Sequence, residues 1–115
     1  MSSSCPRTLA GVEEPVTIAF VGHAAAAQAA AASAYEDEVL PLLAHHGAQL
    51  LHRGRRAQGQ DPSLPVEVHL IRFPSRAAYD GYLVDERRLA LIERHGEVFT
   101  SKVVVELDPW QDGEQ

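Results

Sequence analysis

The run from Pro65 to Leu83, PVEVHLIRFPSRAAYDGYL, constrains the architecture more than any other stretch of the chain. Val66–Phe73 is rich in β-branched and large apolar residues and reads as a strand. Pro74-Ser75 ends it, and Ser75 suits the N-cap of a following helix. Tyr79, Tyr82, Leu83, Leu89 and Ile92 recur at helical spacing and give that helix an apolar face. Gly81 and Asp85-Glu86 interrupt it, so two short helices are expected, closed by His95-Gly96. The same theme runs upstream. Val16–Val21, VTIAFV, is a strand that ends at Gly22-His23. Ala24–His46 is a helix opened by a run of alanine, the best helix former. Its apolar face is Tyr35, Val39, Leu42, Leu43 and His46, with Pro41 expected to kink it and Gly47 to cap it in a left-handed conformation.

Ala48–Arg53 supplies one more strand, Gly54–Pro65 a turn-rich loop, and Ser101–Leu107, SKVVVEL, the last strand before Asp108-Pro109. The order is βαββαβ. That predicts the α+β class and a ferredoxin-like split unit: a four-stranded antiparallel sheet with two helices on one face. Residues 16–107 form the domain, 1–15 a flexible arm and 108–115 a polar tail. In this fold the third strand lies between the first and the second.

An antiparallel sheet with one wet face should alternate apolar and polar residues. VTIAFV and KVVVEL scarcely alternate. Along the third strand Val66, Val68 and Leu70 point one way, and Ile71 and Phe73 the other. Two helices cover one face only, and a chain this short has nothing left for the second. A second copy, sheet against sheet, is the economical cover. A homodimer is therefore expected.

The net charge of −6 argues against a nucleic-acid partner, since affinity for phosphate comes from Lys and Arg. Arg53-Gly54-Arg55-Arg56 is the one basic cluster and reads as a solvated turn. The alanine-rich run 24–34 gives way to Tyr35-Glu36-Asp37-Glu38, so no membrane span is expected. No secretory leader is read in the first fifteen residues. Cys5 is the single cysteine, which rules out an intramolecular disulfide and fits a reducing, cytoplasmic setting.

The segments LPLLAHHGAQLL (Leu40–Leu51), LIRFPS (Leu70–Ser75) and Ala77–Leu83 resemble the dimeric α/β-barrel superfamily, in particular its uncharacterised stress-type branch. The cofactor-free antibiotic-biosynthesis monooxygenases are more distant relatives. The resemblance spans roughly Val16 to Leu107. It implies a homodimer whose sheets form a barrel, and a ligand pocket in each subunit between sheet and helices. It also implies that Phe73 matches an aromatic pocket position, with His69 a polar pocket residue earlier on the same face. The histidine that haem-degrading relatives carry on the second helix has no counterpart; Leu83 stands nearest. A shared fold does not carry a reaction with it.

Among the six histidines, His23, His52 and His69 belong to strands or their ends. Glu67 shares a face with His69 because strand side chains repeat every two residues. Depending on register, His69 meets His23 or His52. A His–Glu pair suits a general base with an orienting carboxylate. Three histidines and a carboxylate would instead suit a transition metal, although no compact metal motif is present. The plainer alternative is a half-buried, hydrogen-bonded strand histidine. Tyr79 and Tyr82 lie on the helix over the pocket, where their hydroxyls orient a ligand or donate to a developing oxyanion, or simply pack as core aromatics. Arg72, on the opposite face, is expected to pair with a carboxylate such as Glu106. Trp110 is expected to cap the partner or lie on its own sheet, and His45-His46 to meet the last helical carbonyls.

The expected function is a small-molecule enzyme without a dissociable cofactor. It acts by proton abstraction, in oxygenation, cyclisation or isomerisation, on a largely apolar, polyketide-like metabolite. His69, Tyr79 and Tyr82 are the catalytic candidates. Glu67, Ile71, Phe73, His23 and His52 are the candidate binding residues. The alternatives are a non-catalytic ligand-binding or stress-response dimer and a histidine metal site.

Overall fold

The structure is a computed structural model and describes residues 14–108. Cys5, Trp110 and nearly all of the expected arm and tail lie outside the described residues. Strands β1 (Val16–His23), β2 (Gln49–Arg55), β3 (Glu67–Phe73) and β4 (Ser101–Leu107) form one sheet in the order β2-β3-β1-β4, with every neighbouring pair antiparallel. This is the ferredoxin-like arrangement, with β3 between β1 and β2 as expected.

The first helical region is shorter and more divided than its alanine content implied. A 3-10 turn at Ala26–Gln28 precedes helix α1 (Ala29–Val39), and a second 3-10 segment runs over Leu40–His46. Pro41 accounts for the division. It lacks the amide hydrogen that an α-helix interior needs, and here it sits in the first turn of the 3-10 segment. Gly47 ends the segment at φ 70°, the left-handed cap that only glycine adopts without cost. Downstream, α2 (Arg76–Leu83) and α3 (Glu86–His95) are separate helices. The Ser75 hydroxyl caps α2 by accepting from the Ala78 amide at 3.0 Å. Asp85 caps α3 and also holds His46 Nε2 at 2.7 Å. His46 therefore ties the 3-10 segment to the α2–α3 corner through Asp85, rather than binding the helical carbonyls expected of it. β1 runs through Gly22 to His23, further than the sequence implied. A Cβ at Gly22 would stand 2.7 Å from the Phe99 ring, so glycine lets Phe99 close against the sheet.

The core lies between the helices and one face of the sheet. Ile18, Ile71 and Phe73 from the strands meet Ala32, Tyr35, Val39, Leu43 and Tyr82 from the helical side, all buried. Among the described residues nothing covers the other face. Register places Val21, Val68 and Val103 in one row across it, and Ala19, Leu70 and Val105 in the next. Val68, Val103 and Val105 are 40%, 46% and 44% exposed, which is far from burial. Arg72 shares this face, but Glu106 does not. Glu106 lies opposite Ile18 and takes a two-pronged ion pair from Arg76, with contacts of 2.6 and 2.9 Å, so the expected Arg72–Glu106 pair is replaced by Arg76–Glu106.

Candidate functional site

Glu67 and His69 stand two residues apart on the helix-facing side of β3. His69 Nε2 lies 2.6 Å from Glu67 Oε1, and both side chains are buried. A buried carboxylate is tolerated only when its lone pairs are filled. Here they are. Ser33 Oγ on α1 donates at 2.7 Å, and Arg53 on β2 donates through Nε and Nη2 at 2.9 and 2.7 Å. Arg53 also spans to Asp37 at 2.8 Å, which fixes the guanidinium from both sides. Burial pushes the Glu67 carboxyl up, but the hydrogen bonds from His69, Arg53 and Ser33 outweigh it and hold it at about 2. Glu67 is thus an anion at neutral pH and can only accept. His69 Nε2 therefore carries the hydrogen, and Nδ1 is the nitrogen left to exchange a proton.

His69 stacks on Phe20, its neighbour on β1, with ring centres 5.0 Å apart and 21° between planes. This fixes the imidazole from a second direction. The ring lines a cavity of about 70 Å³ between sheet and helices, walled by Ile18, Phe20 and Ile71 on one side and Tyr35, Tyr79 and Tyr82 on the other. Burial pushes the Tyr82 hydroxyl up to about 12, so it remains a neutral hydrogen-bond donor. Phe73 is fully buried and stays out of the cavity wall. It supports Tyr79 and Tyr82 from beneath, with ring centres at 5.0 and 5.6 Å.

The cavity holds one group that the sequence reading passed over. Glu36 on α1 is 5% exposed and lines it beside His69. No hydrogen bond or ion pair engages this carboxyl among the described residues. Burial raises it to about 7, against the opposing pull of His69. The sequence signal was its place within the apolar stripe Ala32, Tyr35, Val39 and Leu43, where a carboxylate is out of pattern. Arg53 and Ser33 were also missed as partners of Glu67.

The other histidines do not join. His69 lies opposite Phe20 and Arg53, whereas His23 pairs with Ser101 and His52 with Leu70 on the opposite sheet face. The grouping of His69 with His23 or His52 is thereby overturned, since it needed a register and a face that the sheet does not adopt. Among the described residues no three His, Cys, Asp or Glu side chains come together as a metal ligand set. A wider hollow of about 790 Å³ lies at the other end of the sheet, but its Arg76 and Glu106 are spent on each other.

No protein-family model matches the sequence, and no curated protein matches it. Solved structures do. A protein of unknown function from Rhodopseudomonas palustris aligns with a TM-score of 0.66 at 18% identity, over 86% of this chain and 85% of that one. A dabb family protein with a ferredoxin-like fold from Mesorhizobium loti aligns at 0.62 and 14% identity, over 86% and 100%. SnoaB, a cofactor-independent oxygenase from Streptomyces nogalater, aligns at 0.60 and 12%, over 89% and 99%. Likeness at this level of identity is a likeness of fold. The chain is a ferredoxin-like α+β protein, the architecture that the resemblance to the dimeric α/β-barrel superfamily implied.

Proposed function

We propose that the chain is a small-molecule enzyme that moves a proton at carbon, using its own side chains and no dissociable cofactor. The observation that carries this is the division of labour between two buried carboxyls around one imidazole. Glu67 is saturated with donors and holds His69 in one tautomer. Glu36 faces the cavity with no hydrogen-bonding partner among the described residues. Environments that push two carboxyls apart in this way assign one as a fixed anion and the other as a proton carrier. His69 Nδ1 takes the proton from carbon. The electron pair left behind spreads onto an adjacent carbonyl oxygen, and the Tyr82 hydroxyl is suited to donate to it. Returning the proton to a different carbon gives isomerisation. Attack of the carbanion on an internal carbonyl gives cyclisation, and its reaction with dioxygen gives oxygenation. Oxygenation is the activity named for SnoaB, which shares the fold.

The cavity narrows the ligand. Pockets for larger metabolites enclose roughly 300–1,000 Å³. About 70 Å³ suits a compact molecule better than a polyketide. The functional unit in this reading is a homodimer, because the open sheet face carries Val68, Leu70, Val103 and Val105 without cover from the described residues.

The test is uptake of deuterium at carbon by a panel of enolisable carbonyl compounds in heavy water. Wild-type protein should accelerate exchange for at least one of them, and His69→Gln should not, with its circular dichroism unchanged. Equal rates for wild type and variant would remove His69 from the chemistry. Saturable binding without exchange would favour a second reading, a non-catalytic ligand-binding protein. The satisfied Glu67 network also fits that reading, as a purely structural clamp.

A further inference from the structure

The acid–base reading leaves two cations of the cavity without a task. Lys102 on β4 and Arg88 on α3 both line it. Arg53, Arg55, Arg76, Arg87 and Arg94 each stand against a carboxylate. Lys102 does not, and it makes no hydrogen bond among the described residues. Arg88 gives one nitrogen to the Leu83 carbonyl at 3.0 Å and lies 5.2 Å over the Tyr82 ring, again with no carboxylate. Lys102 is exposed and Arg88 half-buried, whereas His69 and Glu36 are buried. The cavity therefore has a positive mouth and an acid–base floor, in a chain whose net charge is −6. Cations around a low-dielectric hollow concentrate anions there. Lys102 is close enough to Glu36 to lower its pKa, yet no ion pair joins them among the described residues, so its ammonium remains available to a ligand.

We propose that the cavity selects a compact organic anion, a short oxo-carboxylate, whose carboxylate is held at the mouth by Lys102 and Arg88 while its carbonyl-activated C–H faces His69 and Glu36. The chemistry rests on the acid–base reading given above; the binding does not. His69 Nδ1 accepts the proton from carbon. The C–H electron pair becomes the enolate, its oxygen accepts from the Tyr82 hydroxyl, and the proton returns to carbon. Nothing is oxidised or reduced and no co-reactant is consumed. Lys102 and Arg88 touch only the carboxylate and act as specificity-determining residues.

Acetoacetate and levulinate, each against its own methyl ester, test this. Affinity is read from amide chemical shifts, and exchange from loss of the C–H signal in heavy water. The acids should bind saturably and the esters about tenfold more weakly, as expected for loss of a charge-assisted hydrogen bond. Lys102→Gln and Arg88→Gln should each erase most of that preference and leave the ester's affinity unchanged. Both positions lie at the mouth, outside the core. Equal affinity for acid and ester overturns the proposal, as does an acid preference that survives both substitutions, or an absence of saturable binding by either acid. Exchange separates the two claims. If the acids bind preferentially but exchange no faster than with His69→Gln, the anion site stands and the acid–base reading falls. If esters and acids bind alike and both exchange, the reverse holds.

Discussion

Replacing Arg53 by Met gives the sharpest stability prediction. Arg53 supplies two of the donors to Glu67, whose side chain is fully buried, while Arg53 itself is 20% exposed. Met keeps most of the aliphatic stem but leaves the carboxylate short of its counter-charge. Breaking a buried pair from one side typically costs about 3–5 kcal/mol. The titration shift, to which His69, Arg53 and Ser33 all contribute, bounds the effect of the whole donor set. A carboxyl moved from 4.5 to about 2 contributes on the order of 3 kcal/mol at neutral pH. Because the folded-state pKa is depressed, that stability is present above about pH 4.5 and is lost as pH falls through about 2. Urea unfolding followed by far-ultraviolet circular dichroism should therefore show Arg53→Met less stable by about 3 kcal/mol at pH 7. The difference should narrow steadily between pH 5 and pH 2. At roughly 4–8 °C per kcal/mol, the loss in Tm at neutral pH would be unmistakable. A variant as stable as wild type at pH 7, or a gap that stays constant into acid, would refute the account of Glu67 as an anion held by Arg53.

Three further outcomes follow from the same structure. Glu36 has a raised folded-state pKa, so wild type loses stability as pH rises from about 4.5 through about 7. Glu36→Gln cannot ionise; it should unfold later than wild type above pH 7 and match it below pH 4.5, as thermal melts across that range would show. Phe73→Ala removes a fully buried ring that supports Tyr79 and Tyr82, and should cost about 3–5 kcal/mol in denaturant unfolding. Val105→Asp places a charge on the open sheet face and should convert a dimer to monomer in sedimentation; a wild-type monomer at micromolar concentration would remove the sheet-to-sheet pairing from the account.

The topology was legible because its signals are local. Apolar runs marked the strands, and Gly47, Ser75 and Gly96 marked the helix ends without reference to tertiary structure. Apolar residues on both sides of β1, β3 and β4 likewise pointed to the face that the described residues leave open. The Glu67–His69 pair was legible too, since two-residue spacing places both on one side of a strand. Their partners were not. Arg53 reaches Glu67 only because a register shift between Leu50 and His52 resets the facing of β2. That shift also sends His52 to the other face, which defeated its assignment to the pocket. Ser33 and Glu36 arrive from α1, and no strand periodicity reports how a helix docks on a sheet. The break at Pro41 was foreseen, but not the 3-10 path through Leu40–His46 that carries His46 to Asp85.

Carboxyl carbon titration by nuclear magnetic resonance, with Glu36 and Glu67 assigned by their Gln variants, addresses the site most directly. Glu67 should remain ionised down to about pH 2, and Glu36 should pick up its proton near pH 7. Two overlapping transitions near the ordinary 4.5 would mean that neither carboxyl is set apart, and that the cavity has no acid–base machinery.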